Sequence, residues 1–168
     1  WVKKLGLSVY QDDQPYKDRK FAMVVDESIA INGQKLLLTL GVPSEHQGRP
    51  LRHEDVTVLD MSVSKGFNGD DVQDRIEAAE KSAGSDSDYI ISDKGHNLVK
   101  GITGSGHIYH ADISHSMGVI LKDVYGEQSE FTELTTLLGK KRLQYHLTDK
   151  AYLLPPNMRA ISRFMNMS

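Results

Sequence analysis

The apolar positions of this chain change period along its length. From Phe21 they fall in short runs of the kind that form strands. Phe21-Ala22-Met23-Val24-Val25 ends at Asp26, and Lys35-Leu36-Leu37-Leu38-Thr39-Leu40-Gly41-Val42 follows a turn at Asn32-Gly33. Asn-Gly between two apolar runs predicts a hairpin, because both residues tolerate the left-handed backbone of a tight turn. A polar loop over residues 43–54, with Pro43, Gly48 and Pro50, leads to a third strand from Val56 to Val63. After Gly66-Phe67-Asn68-Gly69 the period becomes helical. Asp70 is placed as the N-cap, and Val72, Ile76, Ala79 and Ala83 recur along one face until Gly84 stops the helix.

The second half alternates short strands with helices. A fourth strand is predicted over Asp88 to Ser92, a short helix over His96 to Ile102, and a fifth strand over His107 to Ala111. A helix follows from Ile113 to Val124, with Ile113, Met117, Ile120, Leu121 and Val124 on one side, then another near residues 128–138. Pro155-Pro156 ends any helix in the tail. The order predicts an α/β fold: a mixed five-stranded sheet, an antiparallel meander followed by parallel crossovers, flanked by helices. It is the order of an RNase H-like fold, in which the first and fourth strands are parallel neighbours. Asp26 and Asp93 would then emerge at one sheet edge, where ligands bind in open α/β sheets. Residues 1–20 read as a lead-in, 21–138 as the core and 139–168 as a basic C-terminal segment.

At 168 residues the chain is long enough for one domain with a substantial core. No run of about 18 apolar residues and no secretory leader is present, so the chain is read as soluble and cytoplasmic, with no membrane partner. The absence of cysteine excludes disulfides, thiolate zinc sites and a cysteine nucleophile. The net charge of −3 conceals an uneven distribution. Residues 1–20 carry five Lys/Arg against three acids, and residues 139–168 carry six against Asp149 alone. The intervening stretch holds nine Lys/Arg against 19 Asp/Glu. Basic ends around an acidic centre permit nucleic-acid contact through Lys140, Lys141 and Arg142, and fit a solvated basic tail equally.

Asp26 and Asp93 are the candidate metal-ligating pair, because two carboxylates at one sheet edge are hard oxygen donors suited to Mg²⁺ or Mn²⁺. Alternation sends Asp26 and Glu27 to opposite faces. Each aspartate also has a plainer reading, as a residue accepting backbone hydrogen bonds in a turn or cap. Beside Asp93, Gly95 would let the backbone approach a ligand and Lys94 could meet phosphate. Asp112, placed as a helix N-cap, brings His115 to the third helical position, where its amide can be capped. A zinc set of His107, His110, Asp112 and His115 is disfavoured, because alternation points His107 and His110 to opposite faces. Gly101-Ile102-Thr103-Gly104-Ser105-Gly106 lacks a phosphate-loop signature and reads as a helix-to-strand turn. Gly104-Ser105-Gly106 precedes a strand and so does not form a nucleophile elbow.

Three segments carry a family resemblance: Val24-Val25-Asp26-Glu27-Ser28, Ile91-Ser92-Asp93-Lys94-Gly95-His96-Asn97-Leu98-Val99-Lys100-Gly101, and His110-Ala111-Asp112-Ile113-Ser114-His115. In this order they resemble the catalytic domain of a DDE transposase of the RNase H-like superfamily, prokaryotic insertion-sequence type. Asp112 and His115 look like the Cys/Asp-x-x-His motif of many such transposases, including the hobo/Activator superfamily. The resemblance spans roughly residues 20–125, and the tail from Leu153 to Asn166 looks like the segment that leads onward in prokaryotic members. It implies that Asp26 and Asp93 are the first two catalytic, metal-binding carboxylates, with Mg²⁺ or Mn²⁺ as cofactor. It further implies transposon-end and target DNA as partners and a homo-oligomer in the full-length protein. A third carboxylate, usually a Glu on a later helix, has no matching motif at Glu127, Glu130 or Glu133 and is expected beyond Ser168. The alternatives are an RNase H-like nuclease in which Asp112 completes the set, and a non-catalytic DNA-binding or assembly domain that keeps the fold.

Overall fold

The computed structural model describes residues 14–29, 31–45 and 48–153. Two compact units make up the chain, one ending at Ala111 and the other beginning at Asp112. The first unit holds strands β1 (Phe21–Ile29), β2 (Lys35–Pro43), β3 (Thr57–Ser64), β4 (Ile90–Ser92) and β5 (Tyr109–Ala111), with helices α1 (Gly69–Ala83) and α2 (His96–Gly104). The second unit contains α3 (Ile113–Tyr125) and α4 (Ser129–Tyr145). α4 runs through the expected boundary after Leu138, and the tail from residue 154, with Pro155-Pro156, lies outside the described residues.

The strands lie in the order β3-β2-β1-β4-β5. β1 pairs antiparallel with β2, and β2 with β3, whereas β4 runs parallel to β1 and β5 parallel to β4. This is the mixed five-stranded, RNase H-like arrangement that the element order predicts. The hairpin between β1 and β2 closes where Asn32 (φ 60°) and Gly33 (φ 73°) adopt the left-handed backbone. The short side chain of Asn and the missing Cβ of Gly make that conformation cheap.

One face of the sheet forms the core. Phe21, Met23, Val25, Leu37, Leu59 and Ile90 are buried from the strands, and they meet Val72, Ile76, Ala79 and Ala83 of α1 and Leu98 and Ile102 of α2. The helical period read from the sequence is therefore the buried face of α1. Close packing of α1 on α2 depends on Gly101, where a Cβ would stand 2.6 Å from Val72 Cβ and 2.7 Å from the Gly69 carbonyl oxygen. Tyr16, from the expected lead-in, belongs to this core. Its ring stacks on Phe21 at 4.5 Å and its amide donates to the Ala83 carbonyl at 2.9 Å.

The helix start differs from expectation. Asn68, not Asp70, caps α1: its Oδ1 accepts the amides of Asp70 (2.8 Å) and Asp71 (3.0 Å), and the Asp71 carboxylate accepts the Asn68 amide (2.9 Å). Both residue types cap well, and the acid three positions after Asn68 closes a reciprocal capping box. Asp70 is left to pair with Lys100 at 3.2 Å.

Thr39, buried on β2, leaves its hydroxyl without a hydrogen-bond partner among the described residues. A buried unsatisfied polar group costs about 1–3 kcal/mol. Thr39→Val keeps the β-branched shape and removes that cost. The variant is expected to be more stable by about 1 kcal/mol, read as a raised urea midpoint at unchanged slope; a lowered midpoint would show that the hydroxyl is satisfied.

Candidate metal centre

Asp26 ends an apolar run but not its strand. β1 continues to Ile29, because the hairpin keeps pairing through Glu27↔Leu37, Ser28↔Leu36 and Ile29↔Lys35, with Lys35 bridged to Glu27. β4 does stop one residue short of Asp93. The last register pair between the two strands is Val25↔Ser92, both buried against the core. Asp26 and Asp93 are the residues that directly follow this last pair, on parallel neighbours whose paired stretches lie about 4.8 Å apart. Alternation turns Asp26 away from the face that buries Val25, and Asp26 is exposed.

Asp93 is held at both ends. Its Oδ1 accepts the Gly95 amide at 2.8 Å, the turn role open to it on sequence. A Cβ on Gly95 would stand 2.9 Å from that oxygen, so the space left by the missing side chain is taken by the Asp93 carboxylate. The Asp93 carbonyl accepts the Ser92 hydroxyl at 2.9 Å and the Tyr109 hydroxyl at 3.1 Å. Burial pushes the Tyr109 phenol above its ordinary range and the neighbouring Asp93 charge adds to that, with the nearby Ser92 hydroxyl acting the other way. The phenol thus remains a donor.

The chemistry of the pair, two hard oxygen donors from adjacent strands, fits Mg²⁺ or Mn²⁺. Among the described residues no group of three or more His, Asp or Glu that could hold a metal ion comes together. Lys94 follows directly and is exposed.

The remaining candidates lie elsewhere. Asp112 caps α3, with Oδ1 accepting the Ser114 amide at 2.7 Å and the His115 amide at 3.3 Å, as its spacing predicts. Lys140, Lys141 and Arg142 lie in the last turns of α4, with Lys141 Nζ 6.0 Å from the centre of the Tyr145 ring. Asp112, His115 and these three cations belong to the second unit, and Asp26, Asp93 and Lys94 to the first. His107, one of the rejected zinc candidates, has both ring nitrogens engaged, with Ser105 Oγ at 2.9 Å and Glu80 Oε1 at 2.7 Å. Sequence reasoning missed this pair and the Tyr109 tether. Neither lies within a motif, and both depend on how helix and strand ends meet.

No protein-family model matches the chain, and comparison with curated proteins gives no significant match. No helix among the described residues is long and apolar enough to cross a membrane.

Proposed function

We propose that this chain is the catalytic core of a DDE-type transposase, which cuts and joins DNA ends by in-line phosphoryl transfer. The observation that carries the reading is that Asp26 and Asp93 each directly follow Val25↔Ser92, the last pair between parallel neighbours of an RNase H-like sheet. In this reading the two carboxylates hold Mg²⁺ or Mn²⁺, which when bound supplies Lewis-acid stabilisation of the charge developing on the transferred phosphate. Asp26 contributes from the central strand, where its main chain is held by pairing with Leu38 of β2. Asp93 contributes from a turn whose carboxylate is oriented by the Gly95 amide. In this reading Lys94, exposed directly after Asp93, meets the DNA backbone, and Asp112 with His115 forms the Asp-x-x-His element at the start of α3.

In this reading the metal set needs a third carboxylate in addition to Asp26 and Asp93. The isolated chain then binds a divalent ion weakly and catalyses poorly or not at all. Its partners are transposon-end and target DNA, and the full-length protein works as a homo-oligomer.

DNA contact is tested by the salt dependence of duplex binding. Each of Lys94→Gln, Lys140→Gln, Lys141→Gln and Arg142→Gln is expected to weaken binding and to flatten the slope of log K against log salt by about one. Unchanged slopes in all four would remove these cations from the DNA interface.

A further inference from the structure

We infer that Tyr109 is a positioning residue for the proposed metal pair, fixing the Asp93 main chain so that its carboxylate stays beside Asp26. The inference rests on the metal-centre reading above and adds to it a residue from a different strand. β4 is three residues long, and Asp93 is the first residue past its end. Pairing with β1 ends at Ser92, and so does pairing with β5, so the sheet ladder does not set the peptide plane after Asp93. Two hydroxyls grip that carbonyl instead, Ser92 Oγ from the preceding residue and Tyr109 Oη from β5.

Among the described residues the Tyr109 tether is the side-chain hydrogen bond that ties Asp93 to another strand. Tyr109 is anchored by its register partner Ile90 and by packing of its ring against the buried core. The amide of Gly95, two residues beyond Asp93, holds Oδ1. Rotation of the Asp93 peptide would displace both the carbonyl and the Gly95 amide, and the carboxylate with them. Groups that orient a metal ligand typically alter affinity 10- to 100-fold when removed.

The test is Tyr109→Phe in the full 168-residue chain, which keeps the ring and its packing and removes the hydroxyl alone. Two readouts are followed: Mn²⁺ affinity by calorimetry, and the Gly95 amide resonance with its hydrogen exchange in the metal-free protein. The inference expects Mn²⁺ affinity to fall about tenfold, the Gly95 amide to shift and lose protection, and the thermal midpoint to stay near wild type. In an Asp93→Asn background the same substitution should have no further effect on Mn²⁺ binding. Wild-type affinity together with an unmoved Gly95 amide would overturn it. Should the wild-type chain fail to bind Mn²⁺, the metal-centre reading falls by itself, and the Gly95 amide still decides the tether: displacement upholds it and an unmoved resonance refutes it.

Discussion

Truncating Phe21 to alanine is expected to destabilise the protein by about 3–5 kcal/mol. Phe21 opens the central strand, its side chain is wholly buried, and its ring stacks on Tyr16 with an interplanar angle of 18°. The cost combines lost transfer energy with an unfilled cavity, and the surroundings are poorly placed to collapse into it. Tyr16 is tied through its amide to Ala83 at the end of α1, and its ring already fills the space over Gly41, where a Cβ would meet it at 2.5 Å. A loss of this size is a large share of the 5–15 kcal/mol typical of a whole domain. Urea unfolding followed by circular dichroism measures it, with Phe21→Leu expected to recover part of the loss. A loss below about 1 kcal/mol would mean that Phe21 does not anchor this core.

Asp93→Asn is expected to reduce Mn²⁺ affinity more than 100-fold, beyond the range produced by removing a group that merely orients a ligand. Asparagine can still accept the Gly95 amide through its carbonyl oxygen, so the turn survives and the change isolates the charge. Asp26→Asn should act in the same way, because the position is exposed and the strand around it stays paired. If the two carboxylates share one ion, the double variant loses little more than either single one, which is the non-additivity expected of groups acting as a unit. Additive, modest losses measured by calorimetry would indicate two unrelated surface carboxylates.

The sheet was legible because it rests on periodicity. Apolar runs broken by Asn32-Gly33 and Gly84 define strands and a helix, and their order alone makes β1 and β4 neighbours. Less legible were features decided by competition between similar local choices. Asn68 and Asp70 are both good caps, and the position of Asp71 settles the matter. β1 outlasts its apolar run because pairing to β2, with Glu27 bridged to Lys35, carries polar residues into the ladder. The links of Tyr16 to Phe21, Glu80 to His107 and Tyr109 to Asp93 join residues 5, 27 and 16 positions apart. The longer two leave no periodic trace. For Asp112 and His115 the helix cap was readable from spacing, because capping is local.

The most direct test of the central claim is a Mn²⁺ titration of the wild-type chain followed by paramagnetic broadening of its amide resonances. A shared site predicts saturable broadening centred on residues 25–27 and 92–95, absent in Asp26→Asn and Asp93→Asn. Broadening centred elsewhere, or none at Mn²⁺ concentrations that saturate ordinary carboxylate sites, would contradict a metal centre at Asp26 and Asp93.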